Sequence, residues 1–442
     1  MIFMAYNNEL KKRYIPLIGI MSIYLLVLIR DINVVNISIG VLTALCIVLI
    51  PFLDNSELIG FGMSMVVYNH ALQINYILMG IVAFLIIKNL KSLKKIKKSA
   101  LVLLLIIIFE LFHALGMNTI DYSMEAYLRW LCMPLFLAFL ITIPKKDNKK
   151  ILDIYVFATL LGMINIYFQY INYEGGSIIN VLTSRFRFGN TYLYNNDLKY
   201  CLYDNSNNIA FYALAAIVSC MVIYETTYLK RYLYLIIVFL LFGFLTQSRT
   251  FLASCIILLL CKVGTIFQNR NKGINKKAMG FIFSGFIILC ILTYCGREYL
   301  EVMFVNISKR FSSGDFSKDR GTLLTQYVNY CFSNLNVLFG GIGTQNVDKI
   351  TGIENTTHNG IVDILICFGL PGIALMIAHW FIVIKDACKK KLEWFHYAAF
   401  LAFFIEYMNL QYVRVPALFG ISSILYIILN MNTKKLRYKI IG

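Results

Sequence analysis

Charged residues are scarce in this chain. They make up 14% of its 442 residues, whereas hydrophobic residues make up 59%. A soluble globular domain is about a quarter charged and about half apolar. The scarcity of charge therefore excludes an ordinary soluble protein and indicates a chain that lies largely in lipid.

The sequence also lacks the short motifs that mark many enzymes and pumps. It has no Walker motif, no GxGxxG and no Ser-His-Asp order, which disfavours an ATP-driven transporter, and we expect no cofactor. The eleven cysteines are scattered without a CxxC pair or metal-ligand spacing, so we predict packing roles for them and no metal site. No internal repeat is visible, which disfavours a secondary transporter built from repeated halves.

Long apolar blocks fill most of what remains. Blocks of about 16 to 25 residues can cross a hydrocarbon core about 30 Å thick as helices, and they are too long for barrel strands. The sequence thus predicts an all-α fold: a polytopic transmembrane helical bundle of about 12–14 spans, forming a single integral membrane domain over residues 1–442. The predicted spans lie near residues 15–29, 37–53, 71–87, 100–117, 124–143, 151–171, 207–224, 231–246, 250–267, 278–296, 360–384, 394–410 and 416–431.

The net charge of +18 is concentrated in short loops between these blocks. Clusters such as Lys88 to Lys98 and Lys145 to Lys150 place those loops on the cytoplasmic side by the positive-inside rule, and we expect no nucleic-acid partner. Two longer polar stretches have nearly balanced charge and fall on the opposite face. We therefore predict a first external loop at 172–206 and a long external loop at 297–358 that bears the functional site.

The N-terminal third leaves one conflict. Three spans before Lys88 put the basic residues Lys11 to Arg13 on the external face, against the positive-inside rule. Either the segment 57–87 contains an extra crossing or a re-entrant turn, or one early block does not span. The sequence leaves both alternatives open.

Arginines form the first group of candidate site residues. Arg249 lies in a Ser-Arg-Thr turn between two spans, where it is either a snorkelling residue or a clamp for an anion such as phosphate. Arg185 and Arg187 alternate with phenylalanines in the first external loop, which suits either an anionic, sugar-bearing ligand or a short interfacial segment. Arg320 stands near the start of an amphipathic helical pattern, where backbone N–H groups favour an anion.

A glycine turn and a histidine complete the candidates. Gly341 and Gly343 belong to a Gly-Gly-Ile-Gly turn in the long external loop. His358 is the only histidine in an outer loop, and it stands beside Asn359 at the mouth of a span. Histidine titrates near neutral pH and serves as a general base, whereas a lone histidine is often a packing residue or a helix cap. Both interpretations stay open at this point.

Some charged residues fall within or beside the apolar blocks. Glu125 and Arg129 stand four residues apart on one predicted helix, a spacing that predicts an ion pair. Glu110, Glu406 and Arg414 also lie near or within spans. These residues either pair for packing or line a polar cavity.

Taken in order, the motifs resemble those of the bacterial O-antigen polymerase and O-antigen ligase superfamily. The elements that carry this resemblance are Gln247-Ser248-Arg249-Thr250, Arg320, Gly340-Gly341-Ile342-Gly343, His358-Asn359-Gly360-Ile361 and Phe368-Gly369-Leu370-Pro371-Gly372. The resemblance covers about residues 184–372, and the N-terminal third matches only in being helical and membrane-embedded. Pro371 departs from the family's pattern and is expected to kink its helix.

The resemblance implies a GT-C-like helical fold and a metal-independent glycosyltransferase without a cofactor. The donor would be a glycan on undecaprenyl pyrophosphate, at the outer face of a bacterial inner membrane that the chain crosses several times. Arg249 and Arg320 would hold the pyrophosphate, and His358 would orient or deprotonate the acceptor hydroxyl. The other predicted substrate contacts are Arg185, Arg187, Asn359, Gly341 and Gly343.

Three functions remain open within this frame. We favour polymerisation of lipid-linked repeat units into O-antigen or capsular polysaccharide, because the loops are rich in Tyr, Phe and Asn and nothing addresses lipid A. The first alternative is a ligase that transfers the glycan to lipid A-core. The second is a lipid-linked oligosaccharide flippase, which the long external loop disfavours. Expected partners are the lipid-linked donor and acceptor and membrane lipids, with a flippase and a chain-length regulator as candidate protein partners.

Overall fold

Helices are the only regular elements in the part of the chain that the structure describes. The computed structural model describes residues 2–32, 34–68, 71–91, 96–117, 123–145, 147–173, 206–246, 248–268, 305, 318–353, 358–390, 392–410, 413–414 and 416–431. The helices in chain order are α1 (Ile2–Asp31), α2 (Ile39–Leu49), α3 (Asn55–Ser64), α4 (Ile74–Asn89), α5 (Lys98–Phe112), α6 (Met124–Thr142), α7 (Asn148–Tyr173), α8 (Ser206–Thr227), α9 (Arg231–Leu245), α10 (Arg249–Gln268), α11 (Lys318–Ser333), α12 (Leu335–Gly340), α13 (Val347–Thr351), α14 (Gly360–Cys388), α15 (Trp394–Asn409) and α16 (Pro416–Asn430). Short turns extend three of them: the 3-10 turns Ile50–Phe52 and Met65–Tyr68 follow α2 and α3, and the π-helical turn His113–Met117 follows α5.

The apolar blocks of the sequence correspond closely to these helices. Twelve of the thirteen predicted spans coincide with a described helix, and the block at 278–296 lies outside the described residues. Five described helices are long and apolar enough to cross a membrane: Lys98–Gly116, Met124–Thr142, Asn148–Gln169, Ser206–Thr227 and Gly360–Cys388. Shorter apolar helices occupy Ile39–Phe52, Ile74–Asn89, Arg231–Leu245 and Gly420–Asn430. The expected class, a helical protein with membrane-spanning segments, is confirmed.

The bundle has two ends of different character, because helices that follow one another in the chain mostly run antiparallel. One end carries Lys97 before α5, Lys145 after α6 and Lys390 after α14, and we call it the basic end. The opposite end carries the starts of α10 and α14, with Arg249 and the residues that follow His358. We call it the site end.

A buried helix that the hydropathy pattern did not reveal resolves the conflict at the N-terminus. Helix α3 begins at the basic end, where Asn55 Nδ2 donates to Asn89 Oδ1 at 2.9 Å and Glu57 pairs with Lys150. It continues through its 3-10 turn to Tyr68, whose hydroxyl donates to the Ala158 carbonyl at 2.9 Å in the middle of α7. The segment 57–87 therefore contains an extra helical element that runs from the basic end toward the site end. This is one of the two alternatives that the sequence left open.

The far end of α1 agrees with this arrangement. Asp31 Oδ2 accepts a hydrogen bond from Asn165 Nδ2 at 2.7 Å near the site end of α7, and Arg30 Nη1 donates to the Ala71 carbonyl at 3.0 Å. Since α1 ends at the site end, its first half, which contains Lys11 to Arg13, starts from the basic end. All the basic clusters of the described helices then belong to one end of the bundle.

Composition explains why α3 was missed. The helix contains Glu57, two glycines and two serines, and with its 3-10 turn it is shorter than the ~20 residues of a typical span. Its burial depends on neighbours far away in sequence. A Cβ on Gly62 would stand 2.5 Å from the Phe136 ring of α6, so the absence of a side chain is what lets these two helices approach.

Helix α14 is broken where the sequence placed Pro371. Gly369 has φ 62° and ψ −164°, which interrupts the helix, and Pro371 has no N–H to donate to the carbonyl of Cys367. The freed carbonyls of Ile366 and Cys367 instead accept hydrogen bonds from the amides of Ile342 and Gly343, both at 2.9 Å. A segment of the long predicted loop therefore completes the hydrogen bonding of a membrane helix.

The two ends of the bundle should face opposite sides of the membrane. We expect Ser333→Cys, at the exposed end of α11 and in a background without the native cysteines, to react with an impermeant maleimide added from outside the membrane that the chain crosses. The exposed native Cys388 at the basic end, kept as the only cysteine of a second variant, should react only after that membrane is opened. The reverse labelling pattern would contradict the predicted sidedness of the site.

Candidate functional site

The Ser-Arg-Thr turn is fixed to another helix at the site end. The Thr250 hydroxyl donates to Glu406 Oε2 on α15 at 2.9 Å, and the hydroxyls of Ser248 and Thr250 lie 3.0 Å apart. Arg249, between them, begins α10 and is half-buried. The turn therefore holds the backbone of Arg249 at a defined place, as a positioned anion clamp requires.

Glu406 is the acid that anchors this turn. Its side chain is fully buried, and within the described residues Oε1 has no hydrogen-bond partner. One turn earlier on α15, the carbonyl of Ala402 accepts a hydrogen bond from Ser254 at 3.3 Å, so α10 and α15 are joined by polar contacts at two levels. The sequence predicted that charged residues within spans either stabilise packing or line a polar cavity. Glu406 stabilises packing through its hydrogen bond with Thr250, and its second carboxyl oxygen has no partner among the described residues.

A second buried acid anchors the start of α14. Asp363 is completely buried in the first turn of that helix, four residues after Asn359. Its Oδ1 accepts a hydrogen bond from Arg414 Nε at 2.7 Å, and its Oδ2 accepts the backbone amides of Val413 at 2.9 Å and Arg414 at 3.2 Å. This set of contacts fastens the connection between α15 and α16 to the mouth of α14.

Arg414 also contacts helices α11 and α13, which lie in the segment that the sequence predicts to be the long external loop. Its Nη1 donates to Asp348 Oδ1 at 3.3 Å, and the Tyr327 hydroxyl donates to the same oxygen at 3.4 Å. Burial opposes the guanidinium charge, but Asp363 and Asp348 together raise the pKa of Arg414 above its ordinary value, so the group stays cationic. Its Nη2 is buried without a hydrogen-bond partner among the described residues, which leaves one N–H group of a fixed cation available at the site end.

His358 has an uncommon backbone conformation at the mouth of α14. Its φ of 44° lies in the left-handed region, which few residues other than glycine adopt, although asparagine, aspartate and histidine do so more often than the rest. The helix begins at Gly360, and Asn359 caps it, with Oδ1 accepting the amides of Ile361 at 3.0 Å and Val362 at 3.1 Å. The interpretation of His358 as the helix cap is therefore wrong. The side chain of this half-buried histidine does not cap the helix, and its catalytic role stays a prediction.

The glycine turn docks against the break in α14. Gly341 has φ 70°, and a Cβ there would stand 2.2 Å from the carbonyl oxygen of Cys367. Across the contact, a Cβ on Gly369 would stand 2.6 Å from the carbonyl oxygen of Leu338. The amide of Gly343 is already bonded to Cys367, so these glycines serve the close approach of two backbones, and their predicted contact with substrate stays a prediction.

The residues after the glycine turn are anchored to α5 and α6. Glu110, buried in α5, accepts hydrogen bonds from both the amide and the hydroxyl of Thr344. Gln345 exchanges two hydrogen bonds of 3.3 Å with the backbone of Ser123, which caps α6. The segment from α12 to α13 is thus held against α5 and α6 at the site end, and Glu110 has a structural role there.

We expect Gly341→Ala to destabilise the protein by about 2–6 kcal/mol, because the added Cβ meets a backbone carbonyl and the residue must keep a positive φ. Gly340→Ala is the matched control, since a Cβ at the preceding position has open space around it. Apparent melting temperatures in detergent would be compared. Equal melting temperatures for the two variants would mean that the glycine turn does not hold the segment from α12 to α13 against α14.

The other arginines that the sequence singled out are Arg320, Arg185, Arg187 and Arg129. Arg320 lies in the first turn of α11, seven residues before Tyr327, so both positions fall on the same side of that helix about 10 Å apart. The helix packs against α14 and α12. Arg185 and Arg187 lie outside the described residues. Arg129, predicted to pair with Glu125, does so at an exposed place on α6.

An apolar groove begins beside these polar groups. It lies between α14, α15 and α16 and has a volume of about 400 Å³. Its lining runs along α14 from Gly360, next to the proposed site, to Ile384 near the basic end, which is most of the length of that helix. Aromatic and aliphatic side chains line it, among them Trp380, Phe400, Phe404, Tyr407 and Leu425.

The structure therefore brings several sequence candidates to one end of the bundle. Thr250 bonds to Glu406, and eight residues later in the chain Arg414 bonds to Asp363 at the mouth of α14. The last turn of α15, through Glu406, and the connection after it, through Arg414, thus link the start of α10 to the start of α14. Sequence reasoning missed Asp363, whose only signal was a lone acid within an apolar block directly after the His-Asn pair.

Comparison of the chain with protein-family models, with curated proteins and with solved structures gave no match. The family resemblance of the motifs is therefore neither supported nor opposed by these comparisons. Among the described residues no group of three or more His, Cys, Asp or Glu side chains is arranged to hold a metal ion.

Proposed function

We propose that this chain is a membrane glycosyltransferase that polymerises undecaprenyl-pyrophosphate-linked repeat units into O-antigen or capsular polysaccharide. The observation that carries the proposal is the apolar groove that begins at Gly360, two residues after His358, beside a helix start that is bonded to the cation of Arg414. A lipid pyrophosphate has the same two parts, an anionic head and a long apolar chain. The reaction would take place at the outer face of a bacterial inner membrane.

The proposed reaction is a single displacement at the anomeric carbon of the donor. The acceptor hydroxyl of a second lipid-linked unit forms the new glycosidic bond while the bond to undecaprenyl pyrophosphate breaks. Arg249 and Arg320 stabilise the charge that develops on the leaving pyrophosphate, since guanidinium groups bind phosphate oxygens in pairs. The imidazole of His358 takes the proton of the attacking hydroxyl.

Two buried contacts support the positions that this mechanism needs. Asp363 and Arg414 hold the start of α14, and with it His358, against the external helices α11 and α13. Glu406 holds the turn that contains Arg249. The same proposal includes two protein partners: a flippase that delivers the lipid-linked donor, and a regulator of chain length.

The glycan ladder on the surface of a deletion strain tests this function. A polymerase deletion would leave single repeat units on the surface and remove the longer polymer. If instead all attached glycan disappeared while lipid-linked polymer accumulated, the chain would be the ligase that transfers the glycan to lipid A-core. Accumulation of single lipid-linked units on the cytoplasmic face would identify a flippase.

Purified protein in detergent with a lipid-linked repeat unit as the only substrate would give the direct assay. Polymer formation without nucleotide or added metal supports the proposal, because the substrate itself carries the activated bond. Failure to form polymer with a pure, folded protein and an authentic substrate would contradict it.

A further inference from the structure

Three lysines from separate parts of the chain meet the end of α16 at the basic end, two of them at Tyr426 and the third at Asn430. Lys97 Nζ donates to the Tyr426 hydroxyl at 3.2 Å and lies 5.9 Å from the centre of the tyrosine ring. Lys145 Nζ lies 5.2 Å from the centre of the same ring. Lys390 Nζ donates to Asn430 Oδ1 at 2.8 Å, one helical turn beyond Tyr426 on α16. We call these three lysines the lysine cluster.

No carboxylate among the described residues forms an ion pair with these three ammonium groups. Their acceptors are neutral oxygens: the Tyr426 hydroxyl, the Asn430 side chain, and the backbone carbonyls of Ile143 and Asn430. Since an ammonium group has three N–H donors, each lysine keeps at least one for a further acceptor.

The acids close to the lysine cluster in sequence are already engaged. Asp386 pairs with Lys389 at 2.8 Å, and Asp147 Oδ1 accepts the backbone amide of Lys150 at 3.0 Å. Glu393, three residues after Lys390, is the N-cap residue of α15, and residues 92–95, 146, 391 and 432–442 contain neither aspartate nor glutamate. Asp386 lies close enough to oppose the lowering of the pKa of Lys97 and of Lys390, but its carboxylate is paired with Lys389, so the lysines outnumber the carboxylate beside them.

Unbalanced charge of this kind has an energetic cost. Burial, followed by the charges of Lys97 and Lys390, lowers the pKa of Lys145 to about 7. Burial also lowers the pKa of Lys390, where the charge of Lys97 adds to the effect and Asp386 opposes it. Three cations that destabilise one another gain most when an anion binds between them.

We propose that the lysine cluster is a binding site for a phosphate-bearing anion. Both a lipid headgroup and free phosphate offer this chemistry. A group of cations at the ends of α6 and α14 and before α5 suits the headgroup of an anionic lipid, and the ring of Tyr426 adds an apolar surface beside two of them. The site is at the opposite end of the bundle from Arg249 and His358, and the proposal does not depend on the function proposed for them.

The test measures the stability of the detergent-solubilised protein with three probes. Phosphatidylglycerol supplies an anionic lipid, phosphatidylcholine supplies a lipid of no net charge, and inorganic phosphate supplies the anion without a lipid. We expect phosphatidylglycerol to raise the melting temperature in a saturable way and phosphatidylcholine to have no such effect. A comparable rise with millimolar inorganic phosphate would identify free anion as the ligand, and no rise with either anion would overturn the proposal.

Lysine variants test whether the effect belongs to the cluster. Each of Lys97→Gln, Lys145→Gln and Lys390→Gln should weaken apparent anion affinity about fivefold, and the triple variant about a hundredfold. Lys230→Gln is the matched control, because it removes one exposed charge from the same end of the bundle outside the cluster. Wild-type affinity in the triple variant, or an equal loss in the control, would refute the site.

A measurement on the wild-type protein covers the case in which the triple variant does not fold. The amine of Lys145 should be acylated by a small reagent at neutral pH, because its lowered pKa leaves a large neutral fraction. Mass spectrometry of the labelled peptide would report the rate. Slower labelling of Lys145 with the anionic probe, against unchanged labelling of Lys230, supports the site, and an unchanged rate at Lys145 excludes it.

Discussion

Replacement of His358 by asparagine should reduce polymer formation by about 10²–10⁴-fold, because a positioned acid–base group contributes that much to a rate. Asparagine is the replacement of choice since the backbone at this position has φ 44°, and asparagine tolerates the left-handed region better than alanine does. The variant should therefore fold and bind donor like the wild type. The comparison would combine turnover of a lipid-linked substrate, donor affinity and melting temperature for both proteins.

The dependence of the rate on pH adds a second readout. A general base must be unprotonated, so the wild-type rate should rise with increasing pH along a limb that the variant lacks. Ser333→Ala, an exposed change in the same external segment, should behave as the wild type. A folded His358→Asn protein that forms polymer at the wild-type rate would exclude a catalytic histidine.

The second large effect concerns the arginines. Arg249→Ala and Arg320→Ala should each lower turnover by about 10²–10³-fold, the usual cost of removing one group that stabilises developing negative charge. Arg249→Lys and Arg320→Lys should recover only part of the rate, because lysine keeps the charge but cannot bind two phosphate oxygens through a planar fork. The same assay of lipid-linked substrate measures all four variants.

Arg129→Ala provides the control for lost positive charge. Arg129 is exposed on α6 near the site end, and its partner Glu125 is exposed as well, so its removal should change stability by at most about 1 kcal/mol and leave turnover unchanged. A loss of turnover in this control as large as in Arg249→Ala would mean a general electrostatic effect. Full activity of either alanine variant at the normal protein level would remove that arginine from the mechanism.

The candidate residues themselves could be chosen from the sequence, but the buried residues that hold them in position could not. The order of the Ser-Arg-Thr turn, the glycine turn and the His-Asn pair is visible in the chain. Asp363 and Arg414 are 51 residues apart, and the bond between them depends on the place where the link from α15 to α16 meets the start of α14. No local pattern encodes such a contact. The same holds for Thr250 and Glu406, which are 156 residues apart.

By itself, the sequence determined the class of the protein and the positions of most helices. Hydropathy and helix length are properties of contiguous residues, and a block that must satisfy its own backbone in lipid becomes a helix wherever it lies in the chain. Only the tertiary structure revealed α3, the interruption of α14 at Gly369 and the docking of the glycine turn there. Each of these depends on a neighbour distant in sequence: Phe136 against Gly62, and the backbone around Gly341 against that of Cys367. Close approach of two backbones is decided by packing in three dimensions, which no run of residues specifies alone.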